Sequence, residues 1–389
     1  MAMHAFEPWI PEEWDGPVIQ RVMQMSAVEA VGRPEPMTTA TRHVPRSGGM
    51  GMDILGQGGT YTEDQSSDDA VLLVARKFGR AISLAEEDLQ DSQNLVNILD
   101  VKRVDWATAY AKTIDNAALG CTGAQNMASG IPFTSCYNAV TTSDSSIGYV
   151  ANTNYILAGS SLGSVTITAS TATITFAQPH GLFVGNEIVF SGIQTTTGLN
   201  AGQPYFVVSV PSTTTVTISA SLGGSIVSLT GNGSANQCGL ASTTYQNLSD
   251  ICSIHESSDW FNPDLVVVIA HPKFKARFRS VKDFVGRPIF IQGTSGTPDK
   301  LFDYPVRWSL GARTSTGAAS PTPTGNPLLV VANRDLLIVG KRSGPESYVA
   351  DASTGVGFST DETKLKVRAR RAFGIGHTTG IAVLEDASL

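Results

Sequence analysis

Between Ala70 and Gly120 the spacing of apolar residues switches from period two to a helical period. Ala70 to Ile82 reads as a strand-like lead, basic at Arg76, Lys77 and Arg80. Ser83 has Glu86 three residues on, the spacing of a capping box, so a short helix is predicted to start there and to stop near Asp91-Ser92. Ser92 then caps a longer helix in which Leu95, Leu99, Trp106, Ala109, Tyr110, Ile114 and Ala117 fall near helical spacing, with no Pro or Gly before Gly120. A helix from Asn94 to Leu119 would be a rod of roughly 39 Å, ended by the φ freedom of Gly120. Such a rod reads as a scaffold member.

Residues 1–45 read as an arm. Trp9-Ile10-Pro11-Glu12-Glu13-Trp14 has no core-sized periodic segment. Pro17 opens a short helical pattern through Val18, Val22, Met25, Val28 and Glu29, ending near Gly32-Arg33-Pro34. A helix this small buries its apolar face only on the body of the chain or on a neighbour. Six glycines between Gly48 and Gly59 make the stretch from Ser47 to Ser67 loop-like. Flanking strands, Thr41 to Pro45 and Val71 to Phe78, make it a long hairpin. Loops of this length in compact domains either act outside their own domain or are disordered.

Beyond Gly120 the pattern becomes strand-like and almost uncharged. No Lys or Arg occurs from Thr113 to Pro272, and Glu187 is the one charge between Ser145 and Gln237. Short alternating runs at 165–168, 172–176, 187–190, 205–210, 216–219 and 226–229, punctuated by Gly, Pro and Asn, predict a small all-β sandwich or barrel inserted into the main domain. Helix and strand alternate again afterwards. Tyr245 to Ser257 is helical, Leu265 to Ala270 a buried strand, and Pro272 sits at the start of another helix. Strands follow at 288–291, 304–308, 328–332 and 336–339. The tail from Lys364 to Phe373 alternates basic and apolar and reads, with Gly380 to Leu384, as a long strand with one charged face.

A chain of this length holds two or three domains. The net charge of −7 argues against a protein that grips nucleic acid by its phosphates. No signal peptide is visible, and the longest apolar run is too short to cross a membrane, so synthesis is placed in the cytoplasm and no membrane partner is expected. Cys121, Cys136, Cys238 and Cys252 show no CxxC pair and read as buried thiols. Cys252 and His255 have a zinc-like spacing, but no second pair completes a site.

Catalytic patterns are weak. Gly159-Ser160-Ser161-Leu162-Gly163 fits G-x-S-x-G, yet strand alternation follows where a nucleophile elbow needs a helix. Gly56-Gln57-Gly58-Gly59 lacks the Lys-Ser/Thr ending of a phosphate loop. Six scattered histidines form no triad or metal spacing. No enzyme, cofactor or metal is therefore expected. The basic strand with Lys366, Arg368, Arg370 and Arg371, opposed in sign by Glu63, Asp64, Asp68 and Asp69 of the hairpin, favours contacts between subunits over nucleic acid.

Taken in order, these segments resemble a tailed-phage major capsid protein of the Hong Kong 97 fold. The resemblance lies in the arm with Ile10-Pro11-Glu12, the hairpin, Ala81 to Ser92, the long helix, Ala118 to Gly123, Lys282 to Phe290, and Leu301 to Val306. It covers nearly everything except about 144–236. It implies an α+β chain: N-terminal arm 1–45, E-loop 46–75, part of the P-domain with the spine helix 76–143, inserted β domain 144–236, A-domain 237–345, and a P-loop with C-terminal strands 346–389. Such a subunit would form hexamers and pentamers of an icosahedral head enclosing double-stranded DNA, assembled in the host bacterial cytoplasm. Trp9, Trp14, Glu63, Asp64, Asp68, Asp69, Arg76, Lys77, Arg80, Lys366, Arg368, Arg370 and Arg371 would then lie at intersubunit contacts.

Expected partners are a separate scaffolding protein, since no scaffolding segment precedes the arm, a portal, and a decoration protein. The type member of the family joins a Lys near the end of its E-loop to an Asn with help from a Glu. Here Ser66-Ser67-Asp68-Asp69-Ala70 has no Lys, and arginines stand where the Glu would fall, so no isopeptide cross-links are expected. The alternatives are an encapsulin-type nanocompartment shell, against which the arm and insertion speak, and another phage structural or tail protein, against which the segment order speaks.

Overall fold

The structure, a computed structural model, describes residues 25–47, 52–57, 59–61, 69–87, 98–159, 161–195, 198–201, 203–241, 243–281, 287–293, 298–318, 323–350 and 361–388. The first helix, α1 (Ala27–Val31), opens on Ser26, whose Oγ accepts the Glu29 N–H at 3.1 Å. The sequence pattern starts this helix at Pro17; residues 1–24 lie outside the described residues, and Met25 is exposed ahead of the cap. Strands β1 (Arg33–Pro36), β2 (Thr41–Arg46) and β3 (Asp69–Val74) follow. β2 and β3 pair antiparallel, Thr41 opposite Val74 and Arg46 opposite Asp69, which forms the base of the expected hairpin.

The capping box expected at Ser83 does not form. Ser83 lies inside β4 (Arg76–Ala85), opposite Lys364, and the Glu86 carboxylate instead accepts the Thr363 hydroxyl at 2.8 Å. Ten consecutive strand pairings there outweigh a local capping preference. The predicted stop at Asp91-Ser92 and the cap at Ser92 lie outside the described residues.

The long helix, α2, runs Ile98–Leu119. Its first half is half-buried, whereas every residue from Ile114 to Leu119 is buried, including Asp115 and Asn116. An amphipathic period therefore describes only its start; the helix ends inside the core. Gly120 stops it for a reason other than φ freedom. Its backbone is not left-handed, but a Cβ there would lie 1.9 Å from the Arg313 carbonyl oxygen. Asn116 fastens the same loop, donating to the Gly311 and Arg313 carbonyls at 3.1 and 2.7 Å and accepting from Ser315 at 2.6 Å.

After α3 (Cys136–Thr141) and β5 (Tyr155–Ala158) the chain enters six strands: β6 (Ser161–Thr168), β7 (Thr173–Phe176), β8 (Glu187–Gln194), β9 (Pro204–Ser212), β10 (Thr215–Ser219) and β11 (Gly233–Leu240). They close a barrel in the order β10-β7-β6-β11-β8-β9. Its interior is filled by Ile167, Ile174, Ile188, Phe190, Val216 and Ile218, all fully buried. The sequence pattern differs at the last strand. Residues 226–229 contribute a single bridge, Ser219 to Ile226, and β11 closes the barrel instead. β11 escapes a hydrophobic reading because Gly233-Ser234-Ala235-Asn236-Gln237 offers only small and polar residues. Residues 155–158, read as part of the inserted stretch, pair with the chain's last strand outside the barrel.

The remaining elements are α4 (Tyr245–Glu256), β12 (Val266–Ala270), α5 (Phe274–Ser280), β13 (Phe290–Ile291), β14 (Lys300–Leu301), β15 (Tyr304–Trp308), β16 (Leu328–Asn333), β17 (Leu337–Ala350), β18 (Glu362–Ile375) and β19 (Ile381–Asp386). A seven-stranded mixed sheet has the order β13-β14-β15-β12-β16-β19-β5. Alternate residues of β16 face opposite layers. Leu328, Val330 and Ala332 pack with the end of α2, while Leu329 and Val331 pack with Leu248 of α4 and with Phe274 and Phe278 of α5. Covered on both faces, these strands read as continuous apolar runs. A second sheet, β1-β17-β18-β4, lies under the first half of α2.

Candidate assembly surface

The four strands β1, β17, β18 and β4 carry eleven Lys and Arg against three Glu, in a chain whose net charge is −7. Register decides what those charges meet. Lys77 stands directly opposite Arg370, and Arg76 opposite Arg371. Like charges directly opposite destabilise a sheet, by up to roughly 1 kcal/mol a pair, so counter-charge is needed from somewhere.

Part of it comes from within the chain. Arg371 is buried, its Nε donating to the Glu29 carboxylate and its Nη1 to the Ser343 carbonyl. Glu29 also accepts the Tyr110 hydroxyl at 2.7 Å, and burial followed by that carboxylate pushes the Tyr110 phenol far above its ordinary value. Arg371, expected at a subunit contact, is thus used inside the subunit. Arg368 donates to Glu346 at 2.8 Å and lies over the Tyr348 ring, and that hydrogen bond holds the Glu346 carboxyl below its usual range. Asp69 pairs with Arg46, whose hydrogen bond likewise lowers its pKa. Lys366 sits over Tyr348.

The rest is unmet. Among the described residues, Arg76, Lys77 and Arg80 have no carboxylate partner, Arg370 forms no salt bridge and has only a longer-range attraction to Glu346, and the Arg76 Nε is buried without any hydrogen-bond partner. Of the expected contact residues, Trp9, Trp14, Glu63, Asp64 and Asp68 lie outside the described residues. β4 is the sheet's edge, so the three β4 cations border an unpaired strand. Between β4 and α2 a groove of about 290 Å³ opens, lined by Arg76, Phe78, Arg80, Trp106, Tyr110 and Met127 among others.

Reading the sequence alone missed Glu29, Tyr110, Arg46 and Asp115. Ser26 and Glu29 have the same S-x-x-E spacing as Ser83 and Glu86, and at this position the spacing does mark a helix start.

Asp115 anchors the other side of α1. Its buried carboxylate accepts the Ala27 N–H at 2.9 Å, the Val28 N–H at 3.2 Å, the Ser309 hydroxyl at 2.5 Å and the Ser26 hydroxyl. All four cysteines are buried and unpaired. Cys252 and His255 lie on α4, and no group of three or more metal-ligand side chains gathers among the described residues.

A model of the phage capsid family matches residues 8–219, more than half of the chain. The chain belongs to the phage capsid family. The capsid subunit is similar in fold to a chain of Mycobacterium phage Bobi, at 14% identity and a TM-score of 0.56 over 97% of this chain and 96% of that one. It is similar to a chain of Mycobacterium phage Ogopogo at 12% identity and a TM-score of 0.57, covering all of both chains. A third similar structure is titled as the capsid of a native GTA particle computed with C5 symmetry, at 11% identity and a TM-score of 0.56 over 99% of this chain and all of that one. The comparison with curated proteins finds no match. The role of this capsid protein is structural, and its place is the virion.

Proposed function

We propose that this capsid protein builds an icosahedral head of hexamers and pentamers around double-stranded DNA, with the Hong Kong 97 arrangement of arm, E-loop, spine helix and A-domain. On this reading β2 and β3 are the base of the E-loop, α2 is the spine helix, and the sheet beneath it is the P-domain sheet. The observation that carries the proposal is the Lys77–Arg370 pair: two cations directly opposite in register, neither of them in a salt bridge among the described residues. Glu63, Asp64 and Asp68 of a neighbour's E-loop would supply the acid. A network of such contacts sets register between copies even where each pair contributes little.

DNA would fill the head without sequence-specific contact, and a net negative subunit keeps it from being gripped. The shell would be held non-covalently, with the barrel standing out from the capsomer as an added contact or docking surface. A fold neighbour titled as a capsid with C5 symmetry is in keeping with fivefold clusters. Electron microscopy of the purified protein tests this. Closed shells with fivefold and sixfold clusters are expected; only monomers or open tubes would overturn it, and shells enclosing an enzyme in place of DNA would favour a nanocompartment.

A further inference from the structure

Resting on the shell reading above, we propose that the groove between β4 and α2 is the docking site for residues 6–15 of a second copy of this chain. Chemistry identifies the occupant. The groove wall is aromatic: Trp106 and Tyr110 stack at 5.1 Å, and Phe78 meets Tyr110 edge-on at 6.2 Å. Its rim is cationic: among the described residues Arg76 and Arg80 have no carboxylate partner, and the Arg76 Nε is buried without a hydrogen-bond partner. An occupant must therefore bring carboxylates together with apolar or aromatic side chains.

One segment of the chain fits. Phe6-Glu7-Pro8-Trp9-Ile10-Pro11-Glu12-Glu13-Trp14-Asp15 holds four acids, no base and three aromatic rings. Pro8 and Pro11 have the P-x-x-P spacing of extended segments that dock into aromatic-lined grooves at low ordering cost.

Topology favours a neighbour's arm over the chain's own. The root of the chain's own arm, α1, packs against α2 and β17, whereas the groove lies across α2 on the β4 side. Tyr110 is the partition: its ring faces Phe78, and its hydroxyl donates to Glu29 of α1. An arm from the same chain would have to climb over α2, while one from a neighbour arrives at the open sheet edge.

Photocross-linking of the full chain tests this. Trp9 is replaced by benzoyl-phenylalanine, which keeps an aromatic side chain there, and isotopically heavy and light chains are mixed before assembly. Cross-linked peptides are then mapped in shells and, separately, in any smaller oligomers. Heavy–light links from position 9 to residues 76–80, 106–113 or 127–132 are expected. Links only within one chain, links to other surfaces, or no links would overturn the docking proposal. Failure to form shells at all would count instead against the shell reading, and the oligomer sample would still decide the docking. Arg76→Glu with Arg80→Glu should abolish the links, and adding Glu12→Lys with Glu13→Lys should restore them; a charge swap without recovery would contradict the pairing.

Discussion

The carboxylate of Asp115 accepts the hydroxyl of Ser26, 89 residues earlier in the chain. That contact places the start of α1 on the long helix before any neighbour is involved. Burial pushes the Asp115 carboxyl above its ordinary 3.8, with the four donors pulling the other way. Asp115→Asn sets an amide NH₂ against donors that need an acceptor. It should destabilise the subunit by about 1–3 kcal/mol and speed hydrogen exchange at residues 26–31, measured by urea unfolding and mass spectrometry. Because the folded value is raised, the wild-type contribution is fully present below 3.8 and declines as pH climbs through the folded value. The variant's stability curve should lack that decline.

His271 has the opposite sign. Its Nδ1 accepts the Lys273 N–H at 3.2 Å, and burial, with Arg313 and Lys273 nearby, pushes its pKa down to about 4. The unfolded chain binds this proton at 6.5, so stability should be lost as pH falls from 6.5 toward 4, by up to about 3 kcal/mol. His271→Gln should flatten that limb in thermal melts; an unchanged acid limb would exclude His271 as its cause.

The pair of buried Arg371 and half-buried Glu29 should behave as a coupled unit. Arg371→Ala strands a carboxylate beside Tyr110 and should cost roughly 3–5 kcal/mol. Adding Glu29→Ala should recover part of that loss. A double-mutant cycle in denaturant reads the coupling, and strict additivity would show that the two residues do not interact.

The two ends of the barrel meet where the Gly159 N–H donates to the Ala241 carbonyl at 2.9 Å. Replacing 160–240 by a short linker should therefore leave the seven-stranded sheet folded, as read by near-ultraviolet circular dichroism and a cooperative melt. Shells of this chain should melt at a lower temperature than wild type. Deleting 145–236 should misfold the chain, because it removes β5 from beside β19 and leaves the end of β11 without its barrel.

Long periodic elements were legible in the sequence and long-range choices were not. The long helix α2, β12 and most barrel strands follow from apolar spacing. β11 did not, since its small and polar residues are paired on both sides by strands whose order spacing cannot give. The motif S-x-x-E marks a true helix start at Ser26 and a false one at Ser83, and the difference lies in β18, nearly three hundred residues on. Charge was legible as a basic strand, but alternation could not tell that Arg371 turns inward to Glu29 while Arg370 stays outside with Lys77. The last turns of α2 are buried all round, so no amphipathic signal marks where the helix enters the core.

The central claim is that the arm and the loop find their burial only on other copies of the chain. Hydrogen exchange of dilute, unassembled subunit against assembled shell measures this directly. Residues 1–24 and 48–68 should exchange freely in the subunit and become protected in the shell, while 111–119 stays protected in both. Protection of the arm and loop already complete in the dilute subunit would contradict the account.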